Sequence, residues 1–80
     1  MDGNPRLKEV STMQIEKREV TTERNYLDPV TYIPAHANGN AAHPDCEQGV
    51  IISVEEKAIR VLYCKGRKVQ QTNANDLVFG

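Results

Sequence analysis

The chain has 80 residues (9.0 kDa), a formal charge of −1, 39% apolar residues, 5% aromatic residues and no tryptophan. That length allows at most one domain and a small core, burying only about 60–65% of the unfolded surface, so a cleft walled by two lobes is excluded. No apolar run reaches the roughly 18 residues of a membrane-spanning helix, and no basic segment precedes an apolar one, so neither a membrane partner nor a secretory signal is expected.

The charge is unevenly distributed. From Met1 to Arg24 five acids balance five bases; from Asn25 to Gln48 there are three acids and no Lys or Arg; from Gly49 to Gly80 five cations outnumber three acids. The near-zero total argues against a purely electrostatic nucleic-acid binder. The acidic middle and basic end still mark two surfaces, which ordinary solvation also accounts for. Two cysteines, Cys46 and Cys64, make no disulfide framework and are expected as free thiols in a reducing cytoplasm.

Residues 1–25 form a polar segment with scattered Val10, Met13, Ile15 and Val20 that fits neither the helical nor the strand period. It is expected as a flexible or marginally helical arm, with Ser11-x-x-Gln14 as a capping box for a short helix over 12–19. Residues 26–80 carry β texture. Val30–Ile33, between Pro29 and Pro34, reads as an edge strand. Pro34–Gln48 is a long loop punctuated by Asn38-Gly39-Asn40 and His43-Pro44-Asp45, and loops of that length are usually functional or disordered. Gly49–Val54 is the best strand, turning at Glu55–Lys57 into a second over Ala58–Cys64. The Lys65-Gly66 turn leads to a third over Arg67–Thr72. Asn73–Leu77 is a turn built from side chains that cap backbone groups, and Val78-Phe79 is a last short strand.

Five short strands in so few residues predict a mainly β fold, a small five-stranded SH3-like barrel that hides its sheet edges by closure. Its expected core is Val30, Tyr32, Val50, Ile52, Val54, Ile59, Val61, Val69, Leu77 and Phe79, with Tyr63 also facing inward.

Three stretches carry a family resemblance: Thr31-Tyr32-Ile33-Pro34-x-His36-Ala37-x-Gly39-Asn40, His43-Pro44-Asp45-Cys46-Glu47-x-Gly49-Val50-Ile51 and Asp76-Leu77-Val78. Residues 30–80 resemble small uncharacterised proteins encoded in bacteriophage and prophage genomes, in which the aromatic at the position of Phe79 is often Trp. The resemblance implies a phage-type accessory protein in the cytoplasm of a bacterial host. It implies no activity.

The loop from His36 to Glu47 is the chemically dense segment. As a binding surface it offers His36, Asn38, Gly39, Asn40, His43, Asp45 and Glu47 as donors and acceptors above a rigid sheet, where functional residues often sit. The bland alternative is a loop held by its own Asx and histidine hydrogen bonds. As a zinc site it would combine His36, His43, Cys46 and Cys64. A hairpin turning near Glu56 gives pairing sums of 112–113 and sets Cys46 opposite Gly66 or Arg67. The spacing has no Cys-x2-Cys or His-x3-His, so the weaker metal reading competes with two small, partly buried cysteines. A Cys46–His43 nucleophile lacks an oxyanion hole and an orienting partner, so no enzyme and no cofactor are expected. The basic hairpin over 57–68, with Arg60, Lys65, Arg67 and Lys68, supports a nucleic-acid-binding alternative of the KOW or Tudor kind, by analogy with SH3-like folds. Exposed aromatics for stacking are wanting there. The leading expectation is a non-enzymatic module that binds a host or phage protein, as a monomer or as a weak homodimer through the Val30–Ile33 edge.

Overall fold

The computed structural model describes residues 11–80. The opening hairpin pairs β1 (Met13–Ile15) with β2 (Arg18–Val20). A single helical turn, α1 (Thr22–Asn25), leads to β3 (Pro29–Tyr32), β4 (Glu47–Val54), β5 (Ile59–Tyr63), β6 (Lys68–Thr72) and β7 (Leu77–Phe79). The last five make one antiparallel sheet in the order β6-β5-β4-β3-β7, so the final strand returns beside the first strand of the meander. The chain is therefore mainly β, with five paired strands where five were expected. Within this sheet β6 and β7 are the edges and are not paired with each other, so no closed barrel is seen among the described residues; β3, expected as an edge strand open to dimerisation, is instead interior, paired on both sides by β4 and β7.

The β4–β5 hairpin follows directly from the alternation in sequence. Gly49 opposes Tyr63 and Ile51 opposes Val61, a pairing sum of 112; Ser53 opposes Arg60 and Val54 opposes Ile59, a sum of 113. The change of register is a bulge at Ile52. An extra residue in one strand reverses which side chains face inward beyond it. Ile51 and Val54 are accordingly buried, whereas Val50 and Ile52, expected in the core, are only half-buried. Val69 is a second correction: it is exposed on the edge strand β6. Val30, Val54, Ile59, Val61, Tyr63 and Leu77 are buried as expected, with Tyr32 and Phe79 partly buried against them.

The largest departure is at the N-terminal side. Residues 1–10 lie outside the described residues, but 11–25 are not a flexible or helical arm. Ile15 and Val20 are both 0% exposed and belong to the same core cluster as the main sheet. The two-residue turn between β1 and β2 puts Glu16 (φ 52°) and Lys17 (φ 68°) in the left-handed region. Hairpins favour this turn geometry, but Asn and Gly are its usual residues, so Glu-Lys gives no signal in sequence. The turn is stabilised from elsewhere: the Phe79 backbone N–H donates to Glu16 Oε1 at 2.7 Å, and the Arg18 guanidinium lies 5.0 Å from the Phe79 ring centroid. Ser11-x-x-Gln14 thus precedes and enters a strand. The N-cap belongs instead to Thr21, whose hydroxyl accepts from Arg24 N–H at 3.1 Å while its own N–H donates to Asn25 Oδ1 at 3.0 Å. Thr22 Oγ1 accepts from Val54 N–H at 2.8 Å and ties this turn to the end of β4.

Candidate functional site

Tyr32 of β3 and Glu47 of β4 are directly paired, so the loop between them leaves and re-enters the sheet at one point. Its chain reverses in three tight steps. Pro34–Asn38 forms a 3-10 turn over Ala35–Ala37, with Asn38 N–H donating to the Ala35 carbonyl at 3.1 Å. Asn38 (φ 53°) and Gly39 (φ 78°) then take left-handed conformations, which Asn and Gly adopt most readily. Asn40 closes an Asx turn onto Ala42 N–H at 3.0 Å, and the His43 and Cys46 amides donate to the Asn40 and His43 carbonyls. Ala37, buried at 3% exposure, anchors the loop.

This path gathers three chemically active side chains. His36 Nε2 and Asp45 Oδ2 are 2.7 Å apart, both side chains about 60% exposed. The His36 and His43 rings meet edge to face, with centroids 5.2 Å apart. The Asp45 N–H donates to His43 Nδ1 at 3.0 Å. The carboxyl of Asp45 is held below its ordinary value of 3.8, first by the hydrogen bond with His36; desolvation opposes this, and the charges of His43, His36 and Lys65 each add a smaller lowering.

The donor atoms of His36, His43 and Asp45 lie within 4.8 Å of one another, a spacing that suits a cation. His36 and His43 therefore meet a carboxylate, not the two thiols. Cys46 Sγ instead donates to the Asn40 carbonyl at 3.3 Å, and Cys64 is exposed just past the end of β5, its backbone N–H donating to the Gln48 carbonyl at 2.9 Å; both are free thiols. The proposed His2Cys2 set is not gathered. The hydrogen bonds also weigh against the smaller cluster as a metal centre. His43 Nδ1 accepts from a backbone amide and His36 Nε2 holds Asp45, so one nitrogen of each ring and one Asp45 oxygen are already engaged within the loop. The arrangement presents an exposed carboxylate and two imidazoles fixed in relative position.

Of the remaining loop residues, Asn38, Gly39 and Asn40 are exposed at its tip, and Glu47 is half-buried at its base. Arg60, Lys65, Arg67 and Lys68 are all exposed. They do not share one face: Arg60 pairs with Gln71, whereas Lys68 pairs with Tyr63 on the opposite side of the β5–β6 ladder. Tyr63 is 4% exposed and unavailable for stacking. A second feature, with no signal in sequence, is a cavity of about 210 Å³ at the base of the loop. Tyr32, Glu47, Tyr63, Gln70, Thr72 and Asp76 are among the residues lining it. Its walls come from four separate strands and a turn, and only three-dimensional pairing brings them together.

No protein-family model, curated protein or solved structure matches this chain. No helix among the described residues is long and apolar enough to cross a membrane.

Proposed function

We propose that the protein is a small, non-enzymatic interaction module of SH3-like build that binds a host or phage protein through the His36–Glu47 loop. The observation that carries this reading is the prearranged trio of exposed His36 and Asp45 and half-buried His43 on a loop anchored at both ends to the sheet. A loop already ordered by its own hydrogen bonds loses little further conformational entropy on binding. The strand order, with β7 beside β3 and a 3-10 turn over Ala74–Asp76 just before it, supports the SH3-like assignment. An accessory role in the cytoplasm of a bacterial host follows from the resemblance of residues 30–80 to phage and prophage proteins. The decisive experiment captures partners from host lysate, purifies the best candidate and titrates it against the wild-type chain and against H36A/N40A/H43A. The expected result is binding weakened at least about ten-fold in the triple variant, the size of one or more lost hot-spot contacts. Equal affinity for a folded triple variant overturns the loop as the contact surface.

A second reading, nucleic-acid binding on the 57–68 hairpin, draws support from the exposure of Lys65, Arg67 and Lys68. It predicts an affinity that declines with salt and with R67A/K68A. No gel shift at low salt removes it. The buried Tyr63 and the split of Arg60 from Lys68 across the ladder make it the weaker reading.

A further inference from the structure

The cavity at the base of the loop has a definite chemical character. Two carboxylates, Glu47 from β4 and Asp76 from the 3-10 turn before β7, line it together with the side-chain amides of Gln70 and Asn73, and no Lys or Arg is among its lining residues. Neither Glu47 nor Asp76 is in an ion pair among the described residues. Aromatic carbon faces the same space: the Tyr32 and Tyr63 rings meet edge to face at 6.3 Å. The Tyr63 hydroxyl is hydrogen-bonded to Thr72 Oγ1. Its pKa is raised, first by burial and also by the charges of Glu47, Tyr32 and Asp76, against the hydrogen bond with Thr72, which lowers it. The same two carboxylates therefore act on the inner wall of the cavity.

At about 210 Å³ the cavity is smaller than the roughly 300–1,000 Å³ of sites that take a whole organic ligand, and larger than a water site. It fits one long side chain. Carboxylates and amide carbonyls offer acceptors in several directions, and the aromatic edges offer apolar contact. A planar guanidinium with five N–H donors and a weakly hydrated face matches that set better than a compact ammonium. The cavity also opens beside β6, an edge strand of the sheet along which an extended peptide can lie.

We infer that the cavity formed by Tyr32, Glu47, Tyr63, Gln70, Asn73 and Asp76 receives an arginine side chain from an extended segment of a partner protein. The inference rests on the interaction-module reading for the source of the arginine, but it concerns a surface that shares only Glu47 with the His36–Glu47 loop.

The test titrates the full isotope-labelled chain with acetyl-Gly-Gly-Arg-Gly-Gly-amide and, in parallel, with the peptide carrying citrulline, arginine's uncharged near-isostere. Backbone amide NMR shifts are the readout. The expected result is saturable movement of the amides of Gln70–Asn73 and Asp76 with the arginine peptide and a clearly weaker response with citrulline. E47Q and D76N are each expected to weaken binding about two- to five-fold, the range of a solvent-accessible charge pair. E55Q, on an exposed turn outside the cavity, is expected to leave it unchanged. The native dispersion of each variant's spectrum verifies folding. Shifts that never saturate, equal binding of the citrulline peptide, or an E55Q effect as large as that of E47Q each overturn the inference. Failure of this titration leaves the loop reading standing. Conversely, H36A/N40A/H43A that still binds its partner removes the loop and leaves the cavity standing.

Discussion

Asp45 is the residue on which the loop's conformation turns, because its side chain holds His36 while its backbone holds His43. Its carboxyl titrates below 3.8 in the folded state. A carboxylate with a depressed folded pKa contributes stability that is present above the unfolded value and lost as pH falls through the folded one. Carbon-detected NMR titration is therefore expected to place the Asp45 midpoint below that of an unstructured aspartate, and H36A is expected to move it upward. An unchanged midpoint in H36A contradicts the hydrogen bond as the main cause. Tyr63 shows the opposite sign. Its raised pKa means that its stabilising effect is complete below about pH 10, the unfolded tyrosine value, and is lost as pH rises past it. Y63F abolishes that alkaline loss. At neutral pH it costs about 1–2 kcal/mol in urea unfolding, because the buried Thr72 hydroxyl loses its partner.

Among the elements, β4 carries the tightest constraint. A Cβ added at Gly49 would sit 2.6 Å from the Leu62 carbonyl oxygen and 2.7 Å from Val61 Cγ1. Backbone cannot yield as a flexible side chain does, so G49A is expected to destabilise by roughly 2–3 kcal/mol, read as a lower urea midpoint at unchanged slope. Glycine here serves close approach rather than a turn, since no positive φ is recorded for it. The pairing of β4 with β5 was legible in the sequence because alternation and a polar turn between two branched, apolar runs fix a register. The bulge at Ile52 was not, because it inserts one residue without any Gly or Pro to announce it. The Asn73–Asp76 turn was legible for the opposite reason: its signal is local, with Asn73 Oδ1 accepting from Asn75 N–H at 2.9 Å. The β1–β2 hairpin was hidden because its unfavourable Glu16-Lys17 turn depends on Phe79, 63 residues away in sequence. The loop's chemistry was visible in its composition, but its partnership of two imidazoles with Asp45 rather than with the cysteines is a matter of three-dimensional path.

For the whole molecule, the hairpin changes what counts as the folded unit. Ile15 and Val20 fill the core from the N-terminal side, so I15A is expected to cost about 2–5 kcal/mol, much of the roughly 4–12 kcal/mol available to a chain of this size. A chain lacking residues 1–25 is expected to lose cooperative thermal unfolding and native NMR dispersion. Retention of both would show that residues 26–80 form the core alone. The two candidate surfaces meet at one place, since Glu47 both ends the loop and lines the cavity. A peptide with its arginine in the cavity lies within reach of the loop without further movement of the sheet.

The bond from Phe79 to Glu16 has a consequence in time as well as in space. Synthesis proceeds from the N-terminus at about 5–20 residues per second, so the 63 residues separating these partners take roughly 3–13 s to make. During that interval Ile15 and Val20 have emerged without the strand that covers them. The β1–β2 hairpin therefore waits for β7, and this part of the core closes only after the residues through Phe79 have been made.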